Sequence, residues 1–288
     1  MDNAHRMDNE QARLWNGPAG LAWVESQALL DRLFLPFEER LANLVPPGSG
    51  LRVLDVGCGT GSTTLAIAAR LGAQGRCTGI DISEPMIATA RARALARFGT
   101  ASKAADFVVA DAQGHAFEPA SVDLILSRFG VMFFDDPVAA FANLRRAASD
   151  TGALHLIAWR SATENPFMTT AERAAGPLLP GLPPRRPDAP GQFAFAADGR
   201  VRRILEQSGW CDIDIRPIDV PCAMPEPELP NYLSRLGPVG VALQSVDAQT
   251  RTQVIETVRA AFEPYVQGEE VRFNAACWMI AARAATGG

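Results

Sequence analysis

Lysine is nearly missing from this 288-residue chain. Of its 27 basic residues only Lys103 is a lysine, and 32 acidic residues leave a net charge of −5. The acidic balance excludes the basic stripe that a nucleic-acid partner would need. The shortage of lysine itself reads as genome base composition rather than function. Five cysteines (Cys58, Cys77, Cys211, Cys222, Cys277) include no C-x-x-C pair, and the three histidines do not cluster with them. That argues against a zinc site, and no metal is expected. The odd count in an enzyme-like chain favours reduced thiols and the cytoplasm over a disulfide framework. No run of eighteen apolar residues is long enough to span a membrane. The first ten residues, MDNAHRMDNE, lack the apolar core of an export signal. No G-x-x-x-x-G-K-[ST] occurs, so a P-loop is excluded, and no internal repeat is present.

Residues 53–61 read VLDVGCGTG, and residues 78–83 read TGIDIS. Val53, Leu54 and Val56 have the pattern of a strand buried on both faces. Gly57, Gly59 and Gly61 follow, and a helical pattern then runs through Leu65, Ile67, Ala68 and Leu71 to Gly72. A strand, a glycine turn and a helix start make a cradle of N–H groups beside the positive end of a helix dipole. Asp81, at the tip of the next apolar run, is placed to accept hydrogen bonds from a ribose. The dinucleotide fingerprint is G-x-G-x-x-G, whereas these glycines fall as G-x-G-x-G behind Asp55. An acid there repels a pyrophosphate and suits a ligand with an ammonium and a sulfonium. The alternative is a glycine turn of a nicotinamide-binding oxidoreductase.

The alternation of the chain predicts an α/β fold. Strands are expected at 51–56, 76–82, 106–110, 122–127 and 153–159, with helices at 61–71, from the Ser83 cap to Phe98 and Gly99, and from Asp136 and Pro137 onward. Residues 11–45 look helical, broken by Gly17, Pro18 and Gly20. Residues 161–197 are rich in proline (Pro177, Pro180, Pro183, Pro184, Pro187, Pro190) and too long for an ordinary connection. Asp198 is expected to cap a helix ending at Ser208 and Gly209, before a strand at 210–220, helices near 227–237 and 247–263, and a last strand at 271–282.

The D-x-G-x-G-x-G run followed by a strand ending in Asp81 resembles the first two motifs of class I S-adenosylmethionine-dependent methyltransferases. SRFGVMFFDDPVAAFANLRRA at 127–147 is similar to the small-molecule branch, including ubiquinone and menaquinone C-methyltransferases. Asp150-Thr151-Gly152 departs from the family's usual Pro-Gly-Gly turn. The resemblance implies a Rossmann-like, seven-stranded, mostly parallel sheet whose last strand is antiparallel. It implies an N-terminal helical cap at 1–45, a cofactor-binding core at 46–160, an active-site loop at 161–197, and a remainder at 198–288 with a helical lid at 225–267. It implies S-adenosylmethionine as cofactor and S-adenosylhomocysteine as product. Gly57, Cys58, Gly59 and Gly61 would pass over the methionine and ribose, with Asp55 near the ammonium, Asp81 on the ribose, and Ile82 and Met86 against the adenine. Asp111, Ala112 and Gln113 would hold the adenine edge, and Ser127, Arg128 and Phe129 would line the methyl-donor channel.

Methyl transfer from a sulfonium is an in-line displacement in which proximity supplies much of the rate. A base is needed only if the acceptor arrives protonated. Candidates are His115, Glu164 and Tyr232, with none singled out, while His155 reads as a core histidine inside an apolar strand. Arg185 and Arg186 could meet an acidic substrate or be a solvated loop. Trp15, Trp23, Phe133 and Phe167 are candidates for an apolar acceptor pocket, with Phe129, Val131, Met132 and Phe134 nearby in sequence. The expected partner is a small molecule, acting on a monomer or homodimer. A binding protein that keeps the cofactor site without catalysis is the alternative from another class.

Overall fold

Burial on both faces makes the strand after the N-terminal region the centre of a sheet. In the computed structural model, which describes residues 10–100, 103–186 and 189–284, strand β1 (Arg52–Val56) is buried at every position but its first. The first nine residues, which carry most of the polar N-terminal stretch, and Pro187 lie outside the described residues. After β1 come α4 (Ser62–Ala68), β2 (Arg76–Asp81), α5 (Glu84–Phe98), β3 (Ala105–Val109), β4 (Val122–Arg128), α6 (Pro137–Ala147) and β5 (Ala148–Trp159). Three helices precede it: α1 (Glu10–Asn16), α2 (Pro18–Glu25) and α3 (Gln27–Ala42). Strands β1 to β5 are all parallel, in the order β3-β2-β1-β4-β5. The order reverses between β1 and β4, and ligands of such sheets bind outside the carboxyl ends of the strands at that point.

The sheet is completed by β6 (Trp210–Pro225) and β8 (Glu270–Ala284). Strand β8 lies between β5 and β6 and is antiparallel to both, as the mostly parallel sheet with an antiparallel last strand requires. The sheet has eight strands rather than seven, because the two-residue β7 (Val266–Gln267) folds back on the start of β8. Edge strand β6 carries Pro217, Pro221 and Pro225. Spaced four apart, they remove N–H groups on one side of a strand whose neighbour is β8, which blunts the free edge against further pairing.

Several boundaries differ from the sequence reading. Gly20 does not break a helix; it sits inside α2, where a Cβ would come within 1.9 Å of the Trp15 carbonyl oxygen. The N-terminal break falls at Gly17 and Pro18, and a second at Ser26. Asp198 does not cap its helix: Ala197 holds that place, and the Asp198 carboxylate accepts the Gly199 N–H. The proline-rich stretch contains a helix, α7 (Pro166–Ala175), and is followed by α8 (Asp198–Gln207). Between β6 and β7 lie α9 (Leu229–Arg235), the unforeseen short α10 (Gly237–Ala242), and α11 (Ala248–Ala261), capped by Asp247. No helix among the described residues is long and apolar enough to cross a membrane.

Candidate functional site

At the switch point the chain leaves β1 through a glycine turn and leaves β4 through Phe129 and Gly130. The two exits touch through backbone alone. A Cβ on Gly57 would lie 2.5 Å from the Gly130 Cα, and one on Gly130 would lie 2.5 Å from the Val56 carbonyl oxygen. Gly57 also has φ +67°, a conformation that costs glycine nothing. Ser127 locks the crossing: its Oγ donates to the Val56 carbonyl at 2.7 Å and accepts the Gly130 N–H at 3.1 Å. Fully buried, Ser127 is therefore a brace behind the cleft and not a group facing the donor, as the resemblance had suggested. The brace holds Phe129 at φ +67° with its ring stacked on Trp159, centroids 4.7 Å apart.

A cleft of about 40 Å³ opens beside this crossing. Its walls are Trp23, Leu30, Asp31 and Phe34 from the cap, the run from Asp55 through Gly57, Cys58, Gly59 and Thr60 to Thr63, and Arg128 and Phe129. Asp55 is 1% exposed, and burial pushes its carboxyl up to about 6, against a hydrogen bond from Thr64 Oγ1 at 2.7 Å and the nearby Arg128 cation. Burial lowers the Arg128 guanidinium, opposed by Glu38, Asp55 and Asp31. Asp81 accepts the Gly59 N–H at 2.8 Å and the Ser83 N–H at 2.9 Å, one on each oxygen, so it braces the glycine turn while each oxygen keeps a lone pair. Burial outweighs these bonds and raises its carboxyl. The Thr63 hydroxyl is buried on the cleft wall with no hydrogen-bond partner. An orphaned hydroxyl beside a guanidinium and two carboxylates is the donor set that a zwitterionic amino-acid end would satisfy.

The cap is pinned across the β2–α5 corner. Asn16 donates to the Ile82 carbonyl at 3.0 Å and accepts the Glu84 N–H at 2.9 Å, and Ser83 Oγ donates to the Trp15 carbonyl at 2.7 Å. The Trp15 ring meets Trp23 and Phe133 edge-on. Met86 is buried beside Gly59. Asp111 accepts the Gln113 N–H, while Gln113 Oε1 accepts the Asp136 N–H, so that side chain is tied to the start of α6.

Residues 53–152 match the family described as "Methyltransferase domain". The chain is 37% identical over 125 residues to aklanonic acid methyltransferase DauC of Streptomyces sp. (strain C5), covering 42% of this chain and 56% of that one. It is 31% identical over 194 residues to nocamycin O-methyltransferase of Saccharothrix syringae, covering 62% and 66%. The matched stretches thus span less than two thirds of both relatives. In fold it resembles the YcgJ protein of Bacillus subtilis, at TM-score 0.57 and 16% identity over 87% of this chain and 98% of that one. Residues 53–152 thus form a methyltransferase domain.

Around this cleft the sequence candidates divide. Asp55, Gly57, Cys58, Gly59, Arg128, Phe129 and Trp23 line one cleft. Cys58 presents backbone there, since its thiol is packed with Leu65, Ile87, Ala90 and Phe107. Gly61, at φ +86°, caps α4, where a Cβ would lie 2.9 Å from Ala90. Phe167 does not line the cleft: it is buried in the main core, stacked 3.8 Å from Phe273 and edge-on to Phe262 and Tyr265. Tyr232 belongs to the same core, its hydroxyl on the Met168 sulfur and its acidity suppressed by burial. Glu164 is tied to Ser161 and Arg160, and these bonds hold its carboxyl below the usual range. His115 packs on Phe117 in the loop after β3. His155 is half-buried on β5, and burial with Arg283 lowers its affinity for a proton. Arg185 pairs with Glu172 and covers Phe193.

Sequence reasoning missed Asp31, Thr63, Arg93 and Asn143. Arg93 reaches from α5 to Asp31 at 2.5 Å and to the Thr60 carbonyl at 2.7 Å. Asn143 holds the carbonyls of Ala112 and His115 from α6. These contacts of Arg93 and Asn143 span 28 to 62 residues, beyond any local pattern. Thr63 alone had a signal, as a hydroxyl in the first turn after the glycine run. Thr63→Val should leave apo stability unchanged or higher, since it removes an unsatisfied group, and weaken S-adenosylhomocysteine about five- to tenfold. Calorimetry and a melting curve check both halves.

Proposed function

We propose that this chain transfers a methyl group from S-adenosylmethionine to a small, largely apolar organic acceptor, giving S-adenosylhomocysteine. The observation that carries the reading is the cleft itself: the Asp31 and Asp55 carboxylates, a guanidinium and an unpartnered hydroxyl around a glycine turn that Asp81 braces. Asp55 and Arg128 would hold the ammonium and carboxylate of the donor, Asp81 its ribose hydroxyls, and Ile82 and Asp111 its adenine. The donor supplies an activated methyl on a sulfonium, for which Trp23, Phe34 and Phe129 offer aromatic walls. The names of the two relatives, which act on small molecules, support the acceptor class. The unbridged cysteines support a reducing compartment, the cytoplasm.

Asp81→Ala tests the donor site. Charge-assisted hydrogen bonds are worth roughly 1.5–3 kcal/mol each, so calorimetry should show S-adenosylhomocysteine weakened about tenfold to several hundredfold. Unchanged affinity would remove Asp81 from the site. Stabilisation by NAD but not by S-adenosylhomocysteine would return the chain to the oxidoreductases. A second reading, a donor-binding protein without turnover, is favoured by one observation: His115, Glu164 and Tyr232 all lie outside the cleft lining. Transfer of labelled methyl to any small acceptor excludes it.

A further inference from the structure

Behind the cleft, one guanidinium holds two of its walls. Arg93 of α5 does not line the cavity, yet its Nη1 donates to the Thr60 carbonyl at 2.7 Å and its Nη2 to Asp31 at 2.5 Å. Thr60 belongs to the glycine turn and Asp31 to α3 of the cap, and both line the cleft. Gln27, one turn earlier on α3, donates to the same Asp31 oxygen at 2.5 Å. Both bonds fall on Oδ2, which leaves the lone pairs of Oδ1 for a ligand. The ion pair therefore stands with its cation behind the wall and its carboxylate at the cleft.

The charges around the cleft do not balance. Among the described residues lining it, the carboxylates of Asp31 and Asp55 face one guanidinium, that of Arg128. Asp55 and Arg128 each favour the other's charged form, and together they match a zwitterionic amino-acid end whose own charges cancel. Asp31 is left over, on the cap wall with Trp23, Leu30 and Phe34. A methylsulfonium donor carries one positive charge beyond its zwitterion, and the demethylated product carries none. We infer that Asp31 is the specificity-determining residue by which this cleft prefers the charged donor to its neutral-sulfur product, and that Arg93 is the positioning residue that aims it. The inference rests on the methyltransferase reading. A carboxylate attracts a sulfonium through its charge, and the ring faces beside it do so through their quadrupoles. Neither gains from a neutral thioether. Transfer of the methyl group thus loosens the cleft's hold on the product as it forms, which favours exchange for fresh donor.

The test is titration calorimetry of the full chain with S-adenosylmethionine, S-adenosylhomocysteine and sinefungin, whose amine puts a cation where the sulfonium would stand. Asp31→Asn keeps an acceptor for Arg93 and Gln27 and removes the charge. It should weaken S-adenosylmethionine and sinefungin about tenfold, the order of one charge pair in a partly solvated site, and S-adenosylhomocysteine less than about twofold. Retained product affinity also shows that the variant is folded. Asp31 is a quarter exposed, so added salt should narrow the parent's donor-to-product ratio and leave the variant's unmoved. Arg93→Lys keeps the charge but cannot grip Thr60 and Asp31 together, so it should lower the same ratio several-fold. Combined with Asp31→Asn it should lower the ratio no further, because the two residues act as a unit. Equal weakening of donor and product by Asp31→Asn would reduce the pair to a pin for the cap and overturn the inference, as would no weakening of either. Product binding by the parent is measured first. Its absence sinks the donor-site reading itself, whereas its presence with an unmoved ratio sinks only the role of Asp31.

Discussion

Asp55→Asn should melt higher than the parent at pH 7.5 while binding S-adenosylhomocysteine at least tenfold more weakly. The gain comes from burial. The Asp55 carboxyl titrates at about 6 in the folded chain against 3.8 for an ordinary aspartate. Between those values the folded protein keeps a proton that the unfolded chain releases, so stability falls as pH rises through that window. Above it the ionised, buried carboxylate costs on the order of 3 kcal/mol. Asparagine keeps the acceptor for Thr64 without the charge, and Arg128 still faces Glu38 and Asp31. At roughly 2 °C or slightly less per kcal/mol for a chain of this size, the melting point should rise by about 5 °C at pH 7.5 and hardly at all near pH 4. The loss comes from the ammonium, whose counter-charge is gone. For the same reason the parent should bind donor more weakly as pH falls below 6. A variant that melts lower at pH 7.5 would show that Asp55 is stabilised as an anion by partners other than the donor.

Gly130→Ala should be strongly damaging although it adds a single heavy atom. The new Cβ would stand 2.5 Å from the Val56 carbonyl oxygen and 2.6 Å from the Gly57 Cα. Both are backbone at the exit of the central strand, so neither yields by a rotamer change. Overpacking of this kind costs typically 1–3 kcal/mol and more where backbone must move, and a figure on the order of 3 kcal/mol is expected here. Since the crossing also places Phe129 and the glycine turn, donor affinity should fall with it. Thermal melts and calorimetry on the same preparation read both effects. Gly99→Ala is the control for glycine loss as such, because a Cβ there meets nothing within 4 Å and only its positive φ is strained.

The strands and the donor cradle were legible because they are local. A strand buried on both faces writes itself as Val53, Leu54 and Val56, a tight turn as Gly57 and Gly59, a helix start as Ser83 accepting the Met86 N–H. Each needs only a few consecutive residues. The misreadings have one origin. Ser127, Phe167 and Tyr232 have the residue types of a site, yet their environments are made by segments 71, 106 and 64 residues away: Val56, Phe273 and Met168. Gly20 looked like a helix breaker because its reason, close approach to Trp15 and Ser83, is a packing fact.

By itself, then, the sequence determined the α/β alternation, the spacing that separates a sulfonium donor from a pyrophosphate, and the two strand-end acids Asp55 and Asp81. All of these follow from backbone geometry over less than thirty residues. Only the tertiary structure decided what stands opposite the donor. Asp31, Phe34 and Trp23 reach the cleft because the cap folds over β1 and β4, while Glu164 and Tyr232 are held outside it by hydrogen bonds and burial elsewhere and His115 packs on Phe117. Which side chains share a cleft depends on long-range packing, which no local pattern in the sequence encodes.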